Sequence, residues 1–574
     1  MIEGLLKKFQ AERGLTALRQ DELFETFAAH CVVNQFYEED FDPDHLRMGH
    51  GGDLGIDAAA IIVNGDLFTE SAEVRDAVAG AREIRVHFVI VQAKSSPRFE
   101  AKVFTDLADN LHHVFAAKAL TYQCSDAVRD LRTSIESVYG DLQKLARELP
   151  RLSVWYVATG DSDDSFLGSK RTAAADRLEK TGLFHSVIFK HVGAKELARL
   201  YQRSSDVASA VFAMPKRIAM PKIPGVRQAF LGVLPAGQFV RDVITDTAGG
   251  IRKSLFYENV RDFQDYNTVN VEIQRTLRDV ERRERFAVLN NGITIVTRQL
   301  TTAGDDIHIR DFQIVNGCQT CHVLFDEHAS LSEGVFVNVR LIESVEDDVI
   351  SGIITATNRQ TAITDDDLMA RDEFHKRLEA YFSNQPKERR LYYERRSKQY
   401  AARPDVEKTR IITRAQMARA YVAMFLDEPS GVGRYRQLAE SRSSELFQPA
   451  HDLLLYYASS SAIYRLEWLW RNRRLPTAYA PARYHMLAGL RLLVTGSDQL
   501  PRNARGLSAI CDKVLETVWN QATAERRFKT LVQPLHHAME AESTPNPLLG
   551  DLVRTKRFGD NFKMAVLSLR RRRK

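Results

Sequence analysis

Gly51-Gly52-Asp53-Leu54-Gly55-Ile56-Asp57 opens a stretch that closes on Gln92-Ala93-Lys94-Ser95, with two apolar runs between, Ala58 to Val63 and Ile84 to Ala93. Asn64-Gly65, directly after the first run, is a strong two-residue hairpin signal. The second run is nearly continuous in Val, Ile and Phe, which predicts a strand buried on both faces. Side chains alternate along a strand, so positions 92 and 94 share a face. An acid, a neutral oxygen donor and a lysine at one sheet edge are the parts that metal-dependent phosphodiester cleavage requires. Asp57 is the expected principal ligand, with Gln92 offering an amide oxygen where a second carboxylate often sits. Lys94 would orient the attacking water or neutralise developing charge, and Glu25 would add a further carboxylate from the first helix. Taken singly, an Asp after glycines is a turn residue and a Lys at a strand end is its solvated tip. The combination carries the reading.

Working outward, Leu15 to Asn34 has its apolar residues at helical spacing, and an acidic loop follows through Asp44. A helix is expected from about Phe99 to Leu120, strands at Ser153 to Ala158 and Ser186 to Val192, and a helix between them around Lys170 to Lys180. Helix, strand, strand, helix, strand, helix, strand predicts an α/β domain over residues 1–213. Pro215, Pro221 and Pro224 among basic residues predict a stiff connector over 214–229. A mixed α+β region over 230–500 and a helical region over 501–574 with a basic tail complete the expected organisation.

The length of 574 residues argues for two to four domains, and 44% hydrophobic with 27% charged residues is ordinary for a globular chain. No apolar run approaches the ~20 residues that span a bilayer, and Met1 to Gln20 lacks an apolar signal core, so a cytoplasmic location without membrane contact is expected. Five cysteines do not make a disulfide framework at this size. The net charge of +5 is compatible with a polyanionic partner without demanding one.

Phe24-Glu25, Gly55-Ile56-Asp57 and Gln92-Ala93-Lys94 together resemble the PD-(D/E)xK nuclease superfamily, in its Mrr-like restriction endonuclease branch. The resemblance implies a restriction-endonuclease-like domain with a central mixed sheet, catalytic Asp57, Gln92 and Lys94 with Glu25 in support, and Mg²⁺ or Mn²⁺ held by Asp57, Gln92 and Glu25. Gln92 in place of Glu removes one negative charge from such a site and lowers its affinity for metal.

The second region carries Asn259-Val260-Arg261-Asp262, Asn290-Asn291-Gly292-Ile293-Thr294, Ile314-Val315-Asn316-Gly317-Cys318-Gln319-Thr320, Asn358-Arg359-Gln360 and Tyr392-Tyr393-Glu394-Arg395-Arg396. Singly, the Asn-Gly pairs read as tight turns. In this order the motifs resemble the abortive infection phage resistance family, AIPR, over roughly residues 235 to 500, and an N-terminal nuclease-like domain is a usual companion. The resemblance implies a role in bacterial defence against phage. Asn290, Asn291, Asn316, Gln319, Asn358, Arg359 and Gln360 are accordingly expected to form a polar binding site with no assigned reaction.

Cys318-Gln319-Thr320-Cys321-His322 matches the c-type haem attachment pattern, but without an export signal haem is not expected. Zinc is not expected either, because no second Cys-x-x-Cys supplies the remaining ligands. Arg389, Arg390, Tyr392, Tyr393, Arg395 and Arg396 interleave cations and aromatics, as a surface that tracks phosphates and stacks bases would. A solvated helix face is the plainer reading of that stretch.

The expected protein is thus a metal-dependent endonuclease with antiphage function, acting most readily on DNA, its destructive domain gated by the AIPR domain through a phage-derived trigger or a regulatory partner. A homodimer would suit cleavage of both strands. The rivals are a non-catalytic nucleic-acid-binding sensor on a nuclease fold, and toxic chemistry belonging to the AIPR domain itself.

Overall fold

In a computed structural model the described residues are 2–37, 40–49, 51–116, 124–145, 148–160, 165–204, 208–246, 249–256, 268–328, 331–358, 365–395, 399–400, 403, 405–432, 438, 441–442, 444–501, 503–542 and 548–571. The N-terminal part is a five-stranded sheet in the order β2-β1-β3-β4-β5, built from β1 (Ala58–Val63), β2 (Asp66–Phe68), β3 (Val86–Lys94), β4 (Arg151–Ala158) and β5 (Ser186–Val192). The Asn64-Gly65 turn, with both residues at positive φ, folds β2 back on β1. β1 and β3 are antiparallel, while β3, β4 and β5 run parallel through helical crossovers.

Alternation along the strands sorts two cores. Ile61 and Val63 of β1 and Phe88 and Ile90 of β3 meet one layer of helices, α3 (Ser71–Ala79), α4 (Ala101–Phe115), α5 (Asp126–Tyr139) and α6 (Ser165–Glu179). Ala58, Ala60, Ile62, Val89 and Val91 meet the other, α1 (Ile2–Arg13), α2 (Gln20–Val33) and α7 (Ala194–Ser204). Small alanines on β1 leave room for α2 against the sheet. Helices α1, α3, α5 and α7 were not expected from the sequence. The other elements fall within a few residues of their expected places.

The second sheet has six strands in the order β6-β10-β9-β11-β8-β7. They are β6 (Ser209–Ala213), β7 (Arg217–Ala219), β8 (Gln228–Pro235), β9 (Ile293–Ala303), β10 (Asp306–Asn316) and β11 (Phe336–Glu343). β9 and β11 are parallel and the other pairs antiparallel. The expected connector over 214–229 is therefore part of this sheet: β7 lies within it, and β6, expected in the first domain, pairs with β10. Proline tolerates this because Pro215 and Pro221 flank a three-residue edge strand, where a missing N–H interrupts no central ladder.

The remaining body is helical and shares one apolar core, from Phe374 to Val566. It includes the helices Asp365–Ser383, Arg414–Phe425, Leu453–Arg471, Arg483–Thr495, Ala504–Trp519 and Lys556–Arg571, so its core runs unbroken across the boundary expected at residue 500. Among the described residues no helix is long and apolar enough to cross a membrane.

Candidate active site and an asparagine-rich sheet end

Because β1 and β3 are antiparallel, the start of β1 lies beside the end of β3. The Asp57 N–H donates to the Val91 carbonyl at 3.0 Å, and Asp57 accepts from the Met48 N–H at 3.0 Å. A local turn delivers it: Asp53 Oδ1 accepts from the Gly55 N–H at 2.8 Å, and Leu54 and Gly55 both take positive φ. Gly55 lies over Gln92, since an added Cβ would meet the Gln92 amide at 3.6 Å. By strand alternation Asp57, Gln92 and Lys94 share the α4 side of the sheet.

Asp57 Oδ2 accepts from the Ala93 N–H at 2.6 Å. Burial pushes the Asp57 carboxyl up to about 7; Glu25 and Asp53 push the same way, while the Ala93 N–H and Lys94 oppose them. The Gln92 amide is half-buried and has no hydrogen-bond partner among the described residues. Lys94 Nζ stands 3.7 Å from Glu100 Oε1, and the Glu100 N–H donates to the Tyr156 hydroxyl at 3.2 Å. Tyr156 is the β4 neighbour of Gln92.

Glu25 reaches this sheet end from α2, on the opposite layer. Its carboxylate is engaged by Arg47 at 3.7 Å, and Arg47 also contacts Glu22 at 3.4 Å and Asp44 at 3.2 Å. Among the described residues the one group of three His, Cys or acidic ligands is Asp42, His45 and Glu467, which does not include Asp57. Asp57 and Gln92, oxygen donors on one face of neighbouring strands, are of the chemistry that could hold a hard divalent cation. Glu25, neutralised by Arg47, fits less well as a direct ligand. Arg47, Glu22 and Glu100 escaped the sequence reading; the one available signal was Glu22 standing a helical turn before Glu25.

At the second sheet the two asparagine-glycine motifs come together. β9 and β10 are antiparallel with Thr294 opposite Asn316, so the entry to one strand sits beside the exit from the other. Asn290 Nδ2 donates to Thr320 Oγ1 at 3.1 Å, Asn290 Oδ1 accepts from the Gly292 N–H at 2.9 Å, and Asn270 Nδ2 donates to Gln319 Oε1 at 2.7 Å. Neither motif is a hairpin turn; the β9–β10 turn, with Gly304 at positive φ, is at the other end. Gly317 (φ 94°) lets β10 enter the helix Cys318–Asp326 where a Cβ would stand 3.0 Å from the Gly292 carbonyl oxygen. Asn291 is exposed and Asn316 partly so. Arg359, Gln360 and the Asn358 side chain, like Asn259 to Asp262, lie outside the described residues.

A family model described as AIPR protein matches residues 256–546. The chain belongs to the AIPR family. No curated protein and no solved structure matches it. The AIPR match takes in both the asparagine-rich sheet end and most of the helical body, and it stops short of the sheet that carries Asp57.

Within the AIPR region the expected base-stacking surface is corrected in its aromatic half. Tyr393 is fully buried, its hydroxyl 2.8 Å from His375 Nδ1 and accepting from Arg414 Nε at 3.3 Å. Arg395 is also buried and pairs with Glu379 at 3.1 Å. Tyr392 packs its ring against buried Tyr400. Tyr393 forms strand β12 (Tyr392–Glu394) beside β13 (Ile411–Thr413), and its alternation turns the ring inward. Arg389 is exposed, Arg390 half-buried with Nε donating to the Gln385 carbonyl at 3.1 Å, and Arg396 lies outside the described residues. Cys318 and Cys321 are buried in the core of the second sheet, and His322 packs against Phe256.

Proposed function

We propose that this AIPR protein is an antiphage nuclease whose N-terminal part hydrolyses phosphodiester bonds with Mg²⁺ or Mn²⁺, DNA being the favoured substrate. The observation that carries this reading is the convergence of Asp57, Gln92 and Lys94 on one face at one sheet end, with the Asp57 carboxyl pushed up to about 7 by burial. The family name, abortive infection phage resistance, supports the defensive role.

A bound divalent cation would supply Lewis acidity and a hydroxide-like water. Asp57 and Gln92 would hold it through oxygen, and the Ala93 N–H fixes the Asp57 carboxylate for that purpose. Lys94 offers a positive charge to the scissile phosphate once it leaves Glu100, an exposed partner that costs little to exchange. Gating by the rest of the chain is supported by contact: Arg473, beyond the helix Leu453–Arg471, pairs with Glu22, one turn from Glu25 on α2.

The test is nicking of supercoiled plasmid by the full-length protein with Mg²⁺ or Mn²⁺, beside Asp57→Ala and Lys94→Ala. Metal-dependent nicking by the wild type, lost at least a hundredfold in both variants, is expected. Nicking that persists in both would remove the assignment.

A further inference from the structure

The N-terminal part meets the helical body through charge. Glu22 pairs with Arg473 and Asp76 with Arg554, while Asp42 meets Arg471 at 3.2 Å, Glu70 meets Arg483 at 3.2 Å and Glu73 meets Arg419 at 3.8 Å. In all five the acid belongs to the N-terminal part and the arginine to the helical body. Two ion pairs of the opposite polarity, His45 with Glu467 at 3.2 Å and Arg75 with Asp551 at 3.0 Å, also lie in the seam.

Among the described residues no buried apolar cluster spans it. The clusters of the N-terminal part stop at Phe189 and Tyr201, and that of the helical body begins at Phe374; none contains residues of both. A seam held by ion pairs without a shared core is separable, because salt or a competing charge weakens it while each body keeps its own interior. Glu70, at the N-cap position of α3, is followed at three-residue steps by Glu73 and Asp76 within that helix, so the three present a run of negative charge to the arginines. Arginine in such a row is suited to phosphate, which it meets through two parallel N–H donors.

We infer that Arg419, Arg471, Arg473, Arg483 and Arg554 form a nucleic-acid-binding surface that the acids of the N-terminal part occupy in its absence. A phosphate backbone entering the seam takes over the arginines and releases the N-terminal part. Release also removes Arg473 from Glu22 and so changes the charge beside Glu25. That last consequence rests on the nuclease reading; the binding surface does not.

The test uses the full-length protein in EDTA, so that no cleavage contributes. Anisotropy of a labelled oligonucleotide, single-stranded and duplex, is measured against salt concentration, and scattering reports compactness. Two of the partly exposed pairs supply the variants, Glu73→Gln with Asp76→Asn on one side and Arg419→Gln with Arg554→Gln on the other. Both variants loosen the seam, but they move affinity in opposite directions. The acid variant should bind about tenfold more tightly than wild type, while the arginine variant binds more weakly and loses about one unit of salt slope per arginine removed. Wild type should expand on adding oligonucleotide. Equal affinity of all three proteins, or a change of the same sign in both variants, would overturn the inference, as would expansion with polyglutamate but not with oligonucleotide. Unaltered circular dichroism in both variants shows that each remains folded.

Discussion

Asp57 shows how much one residue's surroundings decide. In the sequence it is an acid after a glycine-rich turn, which is the commonest setting for a solvated aspartate. In the fold it is largely buried beside Glu25 and Asp53, and its carboxyl is pushed up to about 7. A cation must then displace a proton below that pH. Mn²⁺ affinity, measured by calorimetry from pH 5.5 to 8, should fall about tenfold per unit below about 7 and level off above it; a flat profile would show that Asp57 is not a ligand. The same shift bears on stability. A carboxyl whose folded value lies above its unfolded value of 3.8 keeps its proton longer in the native state, so stability falls as pH rises through that window and stays low above about 7. Asp57→Asn should therefore stabilise the metal-free protein at pH 8 by about 1 kcal/mol or more in urea unfolding. Gln92 and Lys94 were legible as partners of Asp57 because strand alternation depends on spacing alone. Arg47 and Glu100 were not: nothing in the spacing of Arg47 announces its contact with α2, and nothing in that of Glu100 announces the turn that brings the start of α4 back to Lys94.

Elements show where the asparagine motifs get their form. Gly292 and Gly317 stand at positive φ with backbone of a neighbouring segment 2.8 and 3.0 Å from an added Cβ. Gly304, also at positive φ, has open space around it. Gly292→Ala and Gly317→Ala should each cost roughly 2 kcal/mol or more in denaturant unfolding, and Gly304→Ala about 1. Equal costs at all three would mean that conformation alone, rather than the close approach of neighbouring backbone, requires glycine. The Arg-Tyr stretch makes a second case. Its pattern of cations and aromatics is shared by base-stacking surfaces and by a buried polar network, and only the side to which β12 turns distinguishes them. Arg395→Ala should accordingly destabilise the protein by roughly 2 kcal/mol, through loss of the Glu379 pair, rather than selectively weaken nucleic-acid binding. Thermal unfolding beside an oligonucleotide titration separates the two.

The whole molecule is decided by how its parts meet. At the seam burial and Arg483 lower the pKa of His45, while the charge and hydrogen bond of Glu467 and the charge of Asp42 raise it, and the net direction is upward. The stabilisation it contributes is full below about 6.5, the unfolded value, and is lost as pH rises through the higher folded value. Hydrogen exchange of the α2 segment at pH 6 and pH 8 should show stronger protection at pH 6, and His45→Gln should abolish the difference. The sequence by itself determined the main strands of the first sheet, because apolar runs and alternation are local. It also determined the juxtaposition of Asp57, Gln92 and Lys94, and membership in the AIPR family through motifs carried in a fixed order. Only the tertiary structure decided that the proline-bearing stretch is a sheet edge, that Tyr393 and Arg395 face inward, and that five acids of one part meet five arginines of another. Those outcomes depend on which neighbour each stretch pairs with, strand β8 for β7 and the Glu379 side for Arg395, and at the seam on residues hundreds of positions apart such as Glu22 and Arg473; charge or proline at one position carries no record of its partner.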